Sequence, residues 1–384
     1  MKILFITHTY NLEGGGGGEV NVSGILRELC KKGHEILVFT PDCPPYAEEL
    51  KLGLKVYRAK AFGHPAFHKV EYSLQAGKAI SLARKFQPDI IHAHNDAFPA
   101  IIGDKTKKKL GIPLTVYIEY VSEKASSWNL KLIYQMNRHF LPRVKADRMI
   151  SMSKFAAEKY LIPWGIPKEK ISIIPAGLDL KNFIHARPDK ELIKKYGKHL
   201  LVSLRPLHST HSKGIAYIIK AMKIVHEKYP AYKYLVFGDG SGKRSLEELV
   251  MELHLEDTVK FPGSIPYKKV PSTYCTSEFM VHSLVFEATT SMSIIDSMAC
   301  GKAVIATDIG ETKNAFGKAA LLVPPENESA LAEAIINLIE HPKLRKELEK
   351  KARKLAVEEY SIEKIAGKFE KEFKKAAKKR GSAK

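Results

Sequence analysis

Three stretches of the chain have the residues to handle a phosphorylated ligand. The first is Gly14-Gly15-Gly16-Gly17-Gly18. Backbone amides in such a run meet an anion without interference from a Cβ, and the positive end of a following helix favours negative charge. The same run also reads as a flexible loop. It does not complete the dinucleotide fingerprint G-x-G-x-x-G, because Glu19 stands where the third glycine belongs. The second stretch is Arg205 with Lys213-Gly214. A planar guanidinium and a compact ammonium can clamp a diphosphate and stabilise the charge that grows as it leaves. Solvated surface cations would look alike in sequence. The third is 281–311, where Glu287 follows a strand ending near His282, and Thr289, Thr290 and Ser291 offer hydroxyls and helix-start amides. Asp296 lies too far inside the next helix to cap it; it either pairs locally or holds ribose hydroxyls.

His92 and His94 fall on one side of their strand, since side chains alternate. No third ligand is evident, so strand-end packing or acceptor contact is preferred over a metal pair. Asp42 and Asp239 read as turn residues.

The elements that must position these groups follow a repeating pattern. Lys2 to Thr7 is a short apolar strand, a loop follows, and Val22, Ile25, Leu26 and Leu29 recur at helical spacing. Gly33 ends that helix and Glu35 to Thr40 is the next strand. This strand–loop–helix–strand opening marks a doubly wound α/β fold. Further strands are expected at 89–94, 113–118, 148–151 and 171–175, with helices at 72–86, 101–110, 130–143 and 154–160. The rhythm breaks over 184–197, which reads as a linker, and a second alternation starts at His199 to Leu204. Its later strands are expected at 234–237, 259–261, 279–282, 303–307 and 320–323. The fold expected is α/β with two doubly wound Rossmann-like domains facing a central cleft. The first spans 1–183, with a terminal helix at 362–378 packing back onto it; the second spans 198–361.

Composition narrows the class. The 384 residues carry 62 Lys+Arg against 42 Asp+Glu, a net charge of +20, with 45% apolar residues. That is globular rather than disordered, and no apolar run approaches the ~20 residues of a membrane-spanning helix. The positive excess is shared between the two halves, which argues against a dedicated nucleic-acid patch. It peaks at 364–384, with nine Lys/Arg against two Glu. That tail reads as a solvated helix face or as an attraction to anionic headgroups. The stretch 130–143 likewise sets Leu130, Ile133, Tyr134 and Phe140 among Lys131, Arg138 and Arg143, as core packing or as membrane contact. Cys30, Cys43, Cys275 and Cys300 form no C-x-x-C pair and fit a reduced cytoplasm, and the opening residues do not read as a secretory signal. Only three glutamines beside heavy Lys and Glu use lean towards a thermophile.

In order and spacing, the chain resembles the family 4 glycosyltransferases of GT-B fold. The resemblance rests on the glycine loop, Gly33-His34-Glu35, Pro88 to His94, Ile173-Ile174-Pro175-Ala176-Gly177-Leu178-Asp179, Phe237-Gly238-Asp239-Gly240, Val259 to Gly263, and Asp296-Ser297-Met298-Ala299-Cys300-Gly301 running on to Asp308. It covers nearly the whole length. It implies a retaining transferase that moves a sugar from a nucleotide diphosphate sugar, UDP ahead of GDP, to an acceptor hydroxyl of a glycan, glycolipid or lipid-linked sugar. It assigns Glu287 to the donor sugar, Arg205 and Lys213 to the diphosphate, Thr289, Thr290 and Ser291 to the phosphates, and Asp296 to the ribose. Phe261 and Pro262 would meet the base, and Gly238 and Gly15, Gly16, Gly17 and Gly18 the donor. His94, Glu119 and Tyr120 would touch acceptor or sugar. No cofactor, metal or nucleic acid is implied, and the protein would be cytoplasmic, with peripheral membrane contact through its basic surface.

Three departures stand out. The family's two acids have seven residues between them, whereas Glu287 and Asp296 have eight, and the second is shortened to Asp. Seven residues part Arg205 from Lys213, more than is usual, with His208 and His211 between them. Glu119-Tyr120 replaces a histidine the family commonly carries. These departures keep two other readings open: a GT-B nucleotide-sugar epimerase, or a non-catalytic sugar-nucleotide binder.

Overall fold

A computed structural model describes residues 1–12, 16–41, 43, 45–60, 72–119, 128–285 and 290–381. The chain divides into two compact units, Met1–Leu178 with Ile362–Lys384, and Asp179–Ser361. Residues 184–197, read from the sequence as a linker, include the helix Lys190–Tyr196 and fall inside the second unit. Asp189 caps that helix, accepting the amides of Glu191 and Leu192, a local start signal that the high charge of the stretch conceals.

The first unit is built on seven parallel strands: β1 (Lys2–Thr7), β2 (Glu35–Pro41), β3 (Lys55–Ala59), β4 (Ile90–Asn95), β5 (Leu114–Ile118), β6 (Arg148–Ser151) and β7 (Ile171–Ile173). Their order is β3-β2-β1-β4-β5-β6-β7. β1, β2, β4 and β5 are buried along almost their whole length, as apolar strands covered on both faces must be. β3 was not expected. Its KVYRA stretch lies at the sheet edge and is largely half-exposed, so it has no apolar run to announce it.

On one face, Leu4, Ile6, Ile91 and Ala93 pack with Ala79, Ala83, Ala97 and Ile102 from the helices Ala76–Phe86 and Ala97–Leu110. The other face carries Phe5, His92, His94 and Tyr117 and is covered by the terminal helix Ile362–Gly381. The Phe369 ring lies 5.4 Å from that of His92 and 5.1 Å from that of Tyr117. Two glycines let this helix come close. A Cβ on Gly24 or on Gly177 would stand 2.7 Å from the Ile362 side chain. The Gly177 amide meanwhile donates to Asn21 Oδ1 at 2.9 Å, and the Ile362 amide donates to the Leu178 carbonyl at 3.0 Å. The Ile-Pro-Ala-Gly-Leu-Asp stretch is thus the seat of the terminal helix.

The second unit has six parallel strands: β8 (Leu200–Leu204), β9 (Lys233–Phe237), β10 (Val259–Gly263), β11 (Phe279–His282), β12 (Val304–Thr307) and β13 (Leu321–Val323). Their order is β10-β9-β8-β11-β12-β13. Its core joins Leu201, Tyr234, Val236, Val281 and Ile305 to Ile215, Ile219 and Met222 of the helix Ser209–Lys228 and to Leu331 and Ile335 of the helix Glu328–Glu340. The strand order reverses between β1 and β4 in one unit and between β8 and β11 in the other. At such switch points ligands bind beyond the carboxyl ends of the strands.

Truncating Phe369 removes a fully buried ring from the face the terminal helix covers. Phe369→Ala should lower unfolding free energy by about 3–5 kcal/mol, read from the urea midpoint at unchanged slope.

Candidate active site

At the β8/β11 switch point, Arg205 is the first residue past β8. Its Nη1 donates to the Ser283 carbonyl at 3.0 Å and its Nη2 to His282 Nε2 at 3.0 Å. A guanidinium has donors only, so His282 must accept at Nε2 and carry its ring proton on Nδ1. The Ser291 hydroxyl meets the same nitrogen at 2.9 Å. Ser291 is the N-cap residue of the helix Met292–Ala299 yet makes no capping bond there, so its side chain claims none of the first-turn amides. Burial pulls the Arg205 pKa down while Tyr234 and Tyr274 raise it; a guanidinium stays charged throughout.

Backbone crowding sets this geometry. Gly238 has φ +134°, and a Cβ there would lie 1.9 Å from the Arg205 carbonyl oxygen. A Cβ on Gly214 would lie 2.1 Å from the Ser283 carbonyl oxygen that Arg205 holds. Asp296 is buried in the helix Met292–Ala299, and its Oδ1 has no hydrogen-bond partner among the described residues. Desolvation holds its pKa well above the usual carboxylate range. Thr290 is buried beside Ser291 in sequence. Phe261 is half-buried against the second core, and Pro262 sits in edge strand β10 where the register shifts, a position that tolerates the missing amide proton. Lys213 is an exposed residue in the second turn of the helix Ser209–Lys228.

At the β1/β4 switch point the chemistry is acidic. His8 Nε2 lies 2.7 Å from Asp96 Oδ2. Asp96 Oδ1 caps the helix Ala97–Leu110 by accepting the Phe98 amide at 2.9 Å. Asn95 takes φ +107°, a strained value for a side-chain-bearing residue. Its carboxamide accepts from Thr7 Oγ1 at 2.7 Å and donates to Glu119 Oε2 at 2.6 Å. Glu119 is half-buried, and desolvation raises its pKa against the opposing Asn95 bond. It faces the start of the helix Gly17–Lys31, where a Cβ on Gly18 would lie 2.9 Å from Glu119 Oε1. Gly16 is the N-cap and Gly17 and Gly18 already belong to the first turn.

Two family models match this chain: Glycosyltransferase Family 4 over residues 15–182 and Glycosyl transferases group 1 over residues 189–355. The chain belongs to the family 4 glycosyltransferases. It is 27% identical to the alpha-monoglucosyldiacylglycerol synthase of Streptococcus pneumoniae, over 80% of this chain and 71% of that protein. It is also 27% identical to a GDP-mannose-dependent alpha-mannosyltransferase of Mycobacterium tuberculosis, over 83% of each. Anabaena HepE, solved with UDP and glucose, superposes with a TM-score of 0.76 at 19% identity over 97% of this chain and 98% of that one, a likeness of GT-B fold.

Within this glycosyltransferase, some of the residues expected from the sequence come together and others do not. Arg205, Gly238 and Ser291 gather at the second switch point, and Gly16, Gly17, Gly18 and Glu119 at the first. Gly15, Tyr120, Glu287 and Thr289 lie outside the described residues. His94 does not join the strand-end groups: it is fully buried, with its ring 4.4 Å from that of Tyr117 and under Phe369. Its Nδ1 faces His92 Nε2 at 3.0 Å, and His92 Nδ1 faces Thr115 Oγ1 at 2.9 Å. The pair is core packing in this unit; among the described residues no three His, Cys, Asp or Glu gather to hold a metal ion. His8, Asn95, Asp96 and His282 were not singled out from the sequence. Their signal was position, each being at or just past the end of a strand that borders a switch point.

Two predictions follow the burial. Desolvation pushes His92 down to about 3 and His94 well below 6.5. The unfolded chain regains the ordinary value and binds protons that the folded state refuses. Stability is therefore full above pH 6.5 and falls as pH drops towards 3, by about 2 kcal/mol at pH 5 for His92, with His94 acting in the same direction. Denaturation midpoints between pH 7.5 and 5 check this, and a His92→Asn/His94→Asn double variant should show a flatter slope. Gly238→Ala should cost about 2 kcal/mol or more, through its φ and its collision with the Arg205 carbonyl, and a thermal melt reads it.

Proposed function

We propose that this glycosyltransferase takes a sugar from a nucleotide diphosphate sugar, UDP ahead of GDP, and delivers it with retention to a hydroxyl of a glycan, glycolipid or lipid-linked sugar. The observation that carries the reading is the Arg205 guanidinium, held at the β8/β11 switch point beside an N-cap serine whose hydroxyl is turned away from the helix-start amides. Cation and amides together suit a leaving diphosphate, where charge develops as the sugar–phosphate bond breaks.

In the proposed reaction the anomeric C–O bond breaks with its electron pair on the diphosphate. The acceptor oxygen attacks from the face the diphosphate leaves, and the acceptor proton passes to a leaving phosphate oxygen. Arg205 and Lys213 stabilise that oxygen's charge, with the amides of Thr289, Thr290 and Ser291. Glu287 holds the donor sugar's hydroxyls, Asp296 the ribose, and Phe261 and Pro262 the base. The glycine loop from Gly15 to Gly18 meets the donor with Gly238, and Glu119 and Tyr120 touch acceptor or sugar hydroxyls. UDP complexes of the HepE fold relative support the donor class, and the mannosyltransferase relative keeps GDP in view. The diacylglycerol-glucoside relative supports a lipid-borne acceptor at a membrane surface, although no helix among the described residues is long and apolar enough to cross a membrane.

Thermal shifts across UDP-, GDP- and ADP-sugars test the reading. One nucleotide class should stabilise the wild type, and Arg205→Ala should abolish that stabilisation. Proton NMR of the glycosylated product should show the donor's anomeric configuration. Turnover of the sugar nucleotide without an acceptor would point to an epimerase instead.

A further inference from the structure

Arg205 is useful to an anion only if its guanidinium is both fixed in direction and left with its full charge. The structure fixes it with two neutral acceptors from the end of β11, the Ser283 carbonyl and His282 Nε2, each at 3.0 Å. His282 is buried, at 3% exposure, so its ring has little freedom to swing aside. A carboxylate in its place would hold the guanidinium more strongly, but it would also neutralise it and compete with a phosphate for the same protons. A protonated imidazole would repel it. A neutral imidazole does neither.

The Ser291 hydroxyl, 2.9 Å from the same nitrogen, shares its single lone pair with the guanidinium as a three-centre contact. An N-cap serine normally spends its oxygen on the second or third amide of its helix. Here that bond is not made. One ring therefore acts on two phosphate-facing groups: it orients the guanidinium, and it keeps a side chain off the helix-start amides.

Resting on the donor reading above, we propose that His282 is the positioning residue of the donor diphosphate site, a neutral acceptor that aims Arg205 and parks the Ser291 hydroxyl so that cation and amides face one anion. A merely structural histidine would fill volume, and an apolar ring of similar size would replace it without loss of ligand binding.

The test is calorimetric binding of UDP and of GDP to the full chain, in the wild type and in His282→Phe, His282→Gln and His282→Asp. His282→Phe should weaken nucleotide binding at least tenfold while its melting temperature stays within a few degrees. His282→Gln restores a neutral acceptor and should recover binding to within about threefold. His282→Asp accepts hydrogen bonds equally well yet should bind at least tenfold more weakly than His282→Gln, because it cancels the Arg205 charge. Binding by His282→Phe within twofold of wild type overturns the proposal, and so does equal binding by the Asp and Gln variants. If His282→Phe fails to fold, the Asp–Gln comparison decides. No binding of either nucleotide by the wild type overturns the donor reading and this inference with it, whereas tight wild-type binding with unaffected variants overturns this inference alone.

Discussion

A parallel strand cannot turn back into its neighbour, so each connection must cross over through a helix, and somewhere in the sheet successive crossovers diverge. Here they diverge at β1/β4 and at β8/β11. No crossover covers the strand ends at those two places. Polar groups of this transferase gather there: Thr7, His8, Asn95 and Asp96 in one unit, Arg205, His282 and Ser283 in the other. The rest of the architecture serves to hold those ends still. Buried apolar strands give the sheets rigidity, and the terminal helix closes a face that would otherwise expose Phe5 and Tyr117 to water.

The two switch points are built with opposite charge. In the second unit a guanidinium rests on uncharged acceptors, which leaves its positive field intact for a ligand. In the first, Asp96 and Glu119 are carboxylates tied to His8 and Asn95. A carboxylate repels phosphate but accepts from sugar hydroxyls. The strain at Asn95 has a reason in this frame. Its φ of +107° turns one carboxamide so that it joins Thr7 on β1 to Glu119 past β5, which links three strand ends with a single side chain.

Much of this was legible in the sequence because buried parallel strands are short apolar runs and the helices between them repeat at their own period. β3 was not, since an edge strand covered on one side only needs no such run. The glycines were legible as motif letters but not as reasons. Gly177 in the Ile-Pro-Ala-Gly-Leu-Asp stretch admits Ile362 from the far end of the chain, a contact no local pattern encodes. Gly238 admits the Arg205 carbonyl, again from another strand. The start of the helix Ser209–Lys228 also escaped notice. His208 offers no side-chain cap there, so the usual signal of a helix start is missing.

The histidines show most directly why residue type and spacing could not complete the site. His92, His94 and His282 all lie on a buried strand, and the sequence drew attention to the first two because they form a spaced pair. The pair, however, faces the side of the sheet that the terminal helix closes, where Phe369 covers both rings and Phe373 that of His92. There an imidazole can only be neutral and can only bond to what is packed against it. His282 is as deeply buried, but its partners are an arginine and an N-cap serine at an open strand end. Which of these a histidine meets depends on which strand is its neighbour in the sheet, and strand order is set by crossovers many residues away. Burial alone makes a histidine neutral; only its neighbours across the sheet decide whether that neutrality does anything for a ligand.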